Sequence, residues 1–199
     1  MADLEFLDSL TRAFEMLPGV GKKTAKRYAF YVVEKMSVEQ VEEFAKSLKN
    51  TKDNVKKCSV CGMLTLKNPC ELCSNTMRDR SKIMVLKDTK DIIAIENIGE
   101  YNGLYHSLNG LISPVEGIGP NDLTIDELEK RINNEVKEII LATSFTPQGE
   151  TTALYLEKIL SSYDVVISRL GFGLPAGGDI EYVDELTLRR AFKNRTSNK

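Results

Sequence analysis

The sequence lacks the features that mark membrane and secreted proteins. No apolar run approaches the roughly 18 residues that a membrane-spanning helix requires. The first twenty residues carry four acids and no uninterrupted apolar block, which is the wrong pattern for a secretory signal. Tryptophan is absent and 28% of the residues are charged. The composition therefore predicts a globular protein of the cytoplasm without a membrane segment.

The chain also lacks a generally basic surface. Its formal net charge is −2 at pH 7, so contact with nucleic acid would require a local concentration of positive charge. One segment provides such a concentration, because residues 16–33 contain four basic side chains and no acid. These basic residues are Lys22, Lys23, Lys26 and Arg27.

Several combinations needed for catalysis or nucleotide binding are missing as well. His106 is the only histidine, and without a paired nucleophile or second ligand it is interpreted as packed or hydrogen-bonded. The glycine-rich stretch 171–178 lacks the Gly-Lys-Ser/Thr ending of a phosphate-binding loop and does not open a helix directly. We therefore expect no ATP site, and interpret residues 179–182 as structural or interfacial.

The apolar pattern of the first 57 residues is helical throughout. Apolar residues recur at helical spacing before and after the interruption Leu-Pro-Gly-Val-Gly at residues 17–21, which predicts two helices joined by a tight turn. A third helix is predicted from about residue 38 to residue 57, with Ser37 as its N-cap.

After the cysteines the pattern changes to short apolar runs that alternate with helical stretches. Such alternation is typical of βαβ units with a parallel sheet. Buried strands are predicted at residues 83–86, 138–142 and 165–167. Helices are predicted at residues 88–97, 125–132, 151–160 and 185–192.

All four cysteines lie in two Cys-x2-Cys pairs separated by eight residues. Two tight turns of this kind can bring four sulfurs around one tetrahedral ion, and zinc prefers such a closed set of soft ligands. The sequence therefore predicts one structural zinc ion per chain, held by Cys58, Cys61, Cys70 and Cys73. Two disulfides, a redox dithiol pair or an iron–sulfur cluster are the alternatives, although cytosolic thiols normally stay reduced.

The turn between the first two helices has the features of a phosphate-binding site. Gly19 and Gly21 let the backbone pass close to a ligand, and the free N–H groups of the next helix attract an anion. Because Lys22, Lys23 and Arg27 stand beside this seat, we expect it to bind DNA independently of base sequence. The alternative is that the glycines merely connect two packed helices and the lysines form a solvated face.

Residues 17–30, LPGVGKKTAKRYAF, resemble the helix-hairpin-helix of the RecR recombination mediators. The four-cysteine segment, residues 101–125 and residues 173–192 resemble the same family in order and spacing. The resemblance implies a multi-part α+β fold with a Rossmann-like parallel sheet of the Toprim type. Its expected parts are a helix-hairpin-helix DNA-binding domain at 1–57, a four-cysteine zinc finger at 58–80, a Toprim domain at 81–175, and a Walker B-like segment with a final helix at 176–199.

The resemblance also implies partners and an assembly. RecR proteins act with RecO and RecF, form a tetrameric ring, and help RecA to load on DNA at gaps. By the same resemblance Glu150, near the start of a helix, is expected to belong to a partner-binding surface. A capping role or an interaction with the helix dipole would explain this acid equally well.

The magnesium ligands of catalytic Toprim domains are not present at the matching positions. Where that pattern places a glutamate this chain has Lys87, and where it places two aspartates the chain has Ser144 and Thr146. A lysine at a ligand position repels a divalent cation, so we expect no catalytic residues and no enzymatic activity. The alternative is a magnesium-dependent Toprim nuclease or topoisomerase-like enzyme.

Overall fold

The computed structural model describes residues 5–171, 173–174 and 177–195. The chain forms two compact units, Met1–Val55 and Lys56–Lys199. The helical first unit and the parallel sheet of the second confirm the expected mixed α+β fold. The boundary expected between residues 175 and 176 lies outside the described residues. No helix in the described part of the chain has the length and apolar character needed to cross a membrane.

The first unit consists of three helices: α1 (Glu5–Glu15), α2 (Lys22–Lys35) and α3 (Val38–Asn54). Helix α3 begins at the expected cap, because the Gln40 N–H donates to Ser37 Oγ and the Ser37 N–H donates to Gln40 Oε1. The prediction that this helix extends to residue 57 is wrong. It ends at Asn54 because the next residues pair as a strand.

The first unit has a small core. Only Thr11, Ala25 and Ala29 are buried in its described helices, and the two alanines permit close packing of α1 against α2. The rings of Phe14 and Tyr28 meet edge to face with centroids 5.7 Å apart. Helix α3 buries none of its residues. The large apolar side chains left exposed on this unit include Phe6, Met16, Tyr31, Val33, Val38, Phe44 and Leu48.

A four-stranded parallel sheet organises the second unit. Its strands are β3 (Asp79–Leu86), β4 (Gly103–Ser107), β5 (Glu138–Leu141) and β6 (Val166–Arg169), in the order β4-β3-β5-β6. The three predicted strands are confirmed, whereas β4 falls in a segment where the apolar pattern predicts none. The helices are α5 (Thr89–Ile98), α6 (Ile125–Glu129), α7 (Pro147–Leu160) and α8 (Glu185–Lys193).

Two predicted helix boundaries in this unit differ from the structure. Helix α7 begins at Pro147 rather than residue 151, because Thr146 Oγ1 accepts from the Gly149 N–H and a proline suits the first helical turn. Helix α6 ends at Glu129, short of residue 132. Short 3₁₀ helices lie at Pro114–Glu116, Pro120–Asp122 and Ile180–Tyr182.

The cysteine segment forms a small knuckle with strands β1 (Lys56–Lys57) and β2 (Leu64–Thr65) and the short helix α4 (Glu71–Ser74). Alternate residues of β3 face the two sides of the sheet, so Ile83 and Val85 pack on one side while Met84 and Leu86 pack on the other. Met63 and Leu72 of the knuckle pack against both the second side and the cysteines. The knuckle is therefore seated on the sheet.

Candidate metal centre and nucleic-acid interface

The four cysteine sulfurs converge as the spacing predicts. All four Sγ atoms lie within 4.8 Å of one another, and those of Cys61 and Cys70 are 3.6 Å apart. Four sulfurs around a tetrahedral zinc at about 2.3 Å would be separated by about 3.8 Å. No disulfide joins them. Among the described residues this is the one group of three or more potential ligand side chains that could hold a metal ion.

Backbone amides of the knuckle point at the sulfurs. The N–H groups of Cys70 and Val60 donate to Cys58 Sγ at 3.3 and 3.5 Å, and the Cys73 N–H donates to Cys70 Sγ at 3.4 Å. Such N–H···S bonds stabilise thiolates and orient metal ligands. The donor set therefore fits a thiolate-bound cation.

The thiols ionise unequally when they have only one another as neighbours. Hydrogen bonding from Cys73 lowers the pKa of Cys61 to about 5, whereas burial raises the pKa of Cys70 to about 11. The pKa of Cys73 is raised because its proton is donated to Cys61. Four thiolates together thus require a bound cation to offset their repulsion.

A glycine lets the knuckle approach the sheet closely. The Ser107 N–H, at the end of β4, donates to the Cys61 carbonyl at 2.7 Å. Gly62 has a left-handed φ of +76°, and a Cβ at this position would lie 2.7 Å from the Ser107 carbonyl oxygen. The Leu64 N–H adds a bond to Thr89 Oγ1 at 2.8 Å. The cysteine cluster and the sheet are therefore directly connected by hydrogen bonds.

The turn before α2 leaves the start of that helix open. Gly19 has φ +81°, a conformation that favours glycine. Gly21 is different, because its φ of −80° and ψ of 164° suit any residue and a Cβ there would meet nothing within 4 Å. Gly21 caps α2 without any side-chain hydrogen bond. No contact within the described structure excludes a side chain at this position. A side chain there would, however, lie in the path of a ligand that approached the first N–H groups of α2.

The four basic residues of this segment are exposed on α2. Lys22 and Lys23 lie in its first turn and Arg27 lies about one turn further, while Ala25 and Ala29 face α1. Among the described residues none of the four forms an ion pair. The structure therefore brings the five predicted DNA-binding residues together around the start of one helix.

The positions matching the Toprim magnesium site line one cavity of about 450 Å³. Lys87, Ser144, Thr146 and Gln148 contribute to its wall. Glu116 is the only acid among the residues that line it. This environment offers a divalent cation one carboxylate beside one cationic side chain, which disfavours magnesium.

Glu150 lies in the first turn of α7, and Thr146, not Glu150, caps that helix. Its carboxylate accepts from Arg169 at 3.0 and 3.1 Å and from Arg190 of α8 at 3.1 Å. The hydrogen bond from Arg169 is the main reason that the pKa of Glu150 lies below its ordinary value. The sequence pattern singles out neither arginine, because each lies on a different element from Glu150.

His106 is buried in β4 and hydrogen-bonded, as expected. Its Nε2 donates to the Thr124 carbonyl at 2.7 Å, and its Nδ1 accepts from Arg131 Nη1 at 3.1 Å. Burial, together with the charge of Arg131, lowers the pKa of His106 to about 4. The ring is therefore neutral near pH 7.

Comparisons with known proteins identify the same family from the first helical unit to the C-terminal segment. Residues 7–52 match the RecR helix-hairpin-helix model, residues 81–171 the Toprim domain model, and residues 173–196 the RecR C-terminal model. "Recombination protein RecR" of Lactobacillus delbrueckii subsp. bulgaricus is 48% identical over 94% of both chains. The protein of the same name from Streptococcus mutans is 49% identical over 94% of both chains. That from Lactobacillus johnsonii is 48% identical over 90% of this chain and 91% of the relative.

Proposed function

The chain belongs to the RecR family of recombination proteins, and from this premise we propose that it is a non-enzymatic mediator that binds DNA without reading its sequence. The observation that carries the proposal is the open start of α2. There Gly21 leaves the first N–H groups without a side-chain cap, and unpaired cations surround them. Membership of the family supports a role in DNA recombination and repair, and the open start of α2 is the surface that we propose to contact DNA.

The proposed contact is with a phosphate of the DNA backbone. The N–H groups and the positive dipole end of α2 are suited to hold its oxygens, since Gly21 has no Cβ to obstruct the approach. Lys22, Lys23 and Arg27 add long-range attraction and release counterions from DNA. Nothing in this arrangement reaches base edges, so the contact positions the strand without specifying sequence.

We further propose that Cys58, Cys61, Cys70 and Cys73 hold one zinc ion per chain. Zinc prefers a closed tetrahedron of soft ligands, and the four sulfurs have the corresponding spacing. When bound, the ion supplies folding free energy rather than a reactive site. The amides of Cys70 and Cys73 orient the sulfurs, and Met63 and Leu72 exclude water between knuckle and sheet.

The absence of catalysis is part of the proposal. Lys87 stands where a magnesium ligand would be needed, and Ser144 and Thr146 provide hydroxyls in place of carboxylates. Hydroxyls and a lysine cannot neutralise a divalent cation during phosphoryl chemistry. The Toprim domain is better suited to serve as a binding platform.

As the family resemblance suggests, we propose that the protein works in the cytoplasm with RecO and RecF, and that four copies form a ring that helps RecA load at gaps. The exposed apolar side chains of the first unit, such as Phe44 and Leu48, support an assembly that covers them. Several modest phosphate sites in one ring would multiply avidity. Glu150 is proposed as part of the partner surface, where a partner would compete with Arg169 and Arg190.

The proposal is tested by DNA binding over a range of salt concentrations. In the variant Lys23→Ala/Arg27→Ala, affinity should fall and the slope of log affinity against log salt should flatten by about 0.9 for each lost phosphate contact. The matched control is Lys46→Ala/Lys49→Ala, which removes two exposed cations from α3 of the same unit. The zinc content per chain should be equal in the wild type and in both double variants. Unchanged affinity in the first variant would move the DNA site elsewhere.

A further inference from the structure

The cavity that contains Lys87 lies at the carboxyl ends of three neighbouring parallel strands. Its wall comes from Lys87 after β3, from residues 110–118 after β4 and from residues 144–148 after β5. The chain runs from β3 to β4 on one side and returns to β5 on the other, so the connections diverge between β3 and β5. In open parallel sheets ligands bind in the crevice at such a point. The topology therefore predicts a ligand site here.

Lys87 is the one cation among the residues that line this cavity. Its side chain is exposed and forms no ion pair in the described part of the chain, although Glu116 lies in the same wall. The carboxylate of the adjacent Asp88 accepts from the N–H groups of Lys90 and Asp91 at the start of α5. The ammonium group of Lys87 is therefore available to an anion.

Ser113 provides a donor that the protein itself does not use. The residue is only 2% exposed and lines the cavity. Its backbone N–H and carbonyl pair with those of Ile118, whereas its hydroxyl has no hydrogen-bond partner within the described ranges. Buried polar groups are nearly always hydrogen-bonded, because an unmet donor forfeits its hydration. An anion in the cavity would satisfy this hydroxyl.

The opposite wall carries a pair of hydroxyls. Ser144 Oγ and Thr146 Oγ1 lie 2.8 Å apart, and Thr146 Oγ1 also accepts from the Gly149 N–H. Only one of the two hydroxyl hydrogens is used between them, so the other can be donated to a ligand.

Both walls are fixed by helix α7. A Cβ on Gly149 would overlap the Ser144 carbonyl, so this glycine permits the close approach of loop and helix. Thr143 Oγ1 donates to the Gly149 carbonyl at 2.9 Å, and the Ile112 N–H donates to Thr152 Oγ1 at 2.9 Å. Donors that are already held in place bind a ligand at a lower entropic cost.

We propose that this cavity binds a phosphate of the DNA backbone, with Lys87 as its counter-cation and the hydroxyls of the wall as neutral donors. The inference rests on the proposed function, to which it adds a second contact with DNA. A sugar-phosphate is favoured over a partner's carboxylate because Leu111 and Ile118 place apolar surface in the same wall, against which a deoxyribose can pack. A volume of about 450 Å³ also suits a group larger than a single ion.

The first experiment measures the affinity of the full-length protein for fluorescent oligo(dT) over a range of salt concentrations. Lys87→Gln should lower affinity by about tenfold and flatten the slope of log affinity against log salt by about 0.7, the value for one phosphate contact on a single strand. The matched control is Lys90→Gln, an exposed lysine of α5 outside the cavity, which should keep the slope of the wild type. An unchanged slope in Lys87→Gln would overturn the inference.

A change of opposite sign follows for Glu116→Gln. Removal of the one acid in the wall should strengthen oligo(dT) binding by about two- to fivefold, since it repels a phosphate. Glu135→Gln, an exposed acid that does not line the cavity, is the control. Binding by Glu116→Gln that is no stronger than binding by this control would contradict a phosphate in the cavity.

Lysine acetylation of the wild type, read by mass spectrometry, needs no variant. Oligo(dT) should protect Lys87 and Lys23 but not Lys90. Protection of Lys23 without Lys87 would overturn this inference and leave the proposed function standing, whereas protection of neither lysine would defeat the proposed function as well. Protection of Lys87 by poly-glutamate and not by oligo(dT) would assign the cavity to an acidic protein partner, which also overturns the inference.

Discussion

Glu150 and Arg169 form a bidentate ion pair, with N···O distances of 3.0 and 3.1 Å. Arg190 adds a third hydrogen bond to the same carboxylate and thereby ties α8 to the start of α7. Phe145 lies beneath both guanidinium groups, with its ring centroid 5.8 and 5.9 Å from their central carbons. A residue expected on a partner surface is thus already engaged within its own chain.

Replacement of Glu150 by Gln should destabilise the second unit by about 1–2 kcal/mol, since hydrogen bonds to charged groups contribute about that amount and two arginines lose their counter-charge. The pKa of Glu150 is lowered on folding, so its contribution is present above the ordinary value of 4.5 and is lost as pH falls through the folded pKa. Denaturant unfolding of both proteins from pH 7 to pH 3 measures this. If the difference in unfolding free energy between the wild type and Glu150→Gln does not narrow in acid, the ion pair does not make this contribution.

Gly21→Val should separate DNA binding from folding. The backbone of Gly21 is extended and the space beside it is open, so valine should cost only about 1 kcal/mol of stability, the usual penalty for an aliphatic residue at an N-cap. A branched side chain should nevertheless obstruct the phosphate and lower DNA affinity by about tenfold or more. Gly19→Val is the contrast, because φ +81° should cost about 1–2 kcal/mol of stability. Full DNA affinity in Gly21→Val would exclude the phosphate seat.

Cys70→Ser should release the metal and weaken the second unit. The knuckle is joined to the sheet at Ser107 and shares Met63 and Leu72 with its core, so its loss should lower the melting temperature on the order of 10 °C or more. Atomic absorption should give one zinc per chain for the wild type and for Met77→Ala, an exposed neighbour outside the cluster. Retention of stoichiometric zinc by Cys70→Ser would argue against a four-sulfur site.

His106 should make the protein acid-sensitive. Its pKa falls from 6.5 to about 4 on folding, so the stabilising contribution of the neutral ring is complete above pH 6.5 and is lost as pH falls toward 4. The loss amounts to roughly 3 kcal/mol. His106→Gln should show a flatter dependence of unfolding free energy on pH across this window. Zinc content is followed at each pH because thiolates also take up protons, and an equally steep dependence in the variant would assign the sensitivity to another group.

Purified protein with magnesium should leave nicked, supercoiled and single-stranded DNA unchanged. The reason is that Lys87, Ser144 and Thr146 provide no pair of carboxylates for a divalent cation. Gel electrophoresis after prolonged incubation detects cleavage or relaxation. Turnover that requires magnesium and disappears in Glu150→Gln would establish the enzymatic alternative.

The sequence predicted the structural features that depend only on residues close together in the chain. Turn chemistry and spacing located the turn at residues 17–21 and the convergence of the four cysteines, because each requires only short segments with definite backbone geometry. Apolar periodicity found three of four sheet strands. It missed β4, whose polar His106 and Ser107 are buried through partners on other elements.

The sequence by itself determined that the four cysteines converge and which class of fold results, and it located the glycine turn and the basic residues that we propose as the phosphate site. The tertiary structure alone decided that His106 is buried between Thr124 and Arg131, and that Glu150 is bound by Arg169 and Arg190. These relations join residues far apart in the chain. Their geometry depends on how strands and helices pack, and no local spacing rule encodes it.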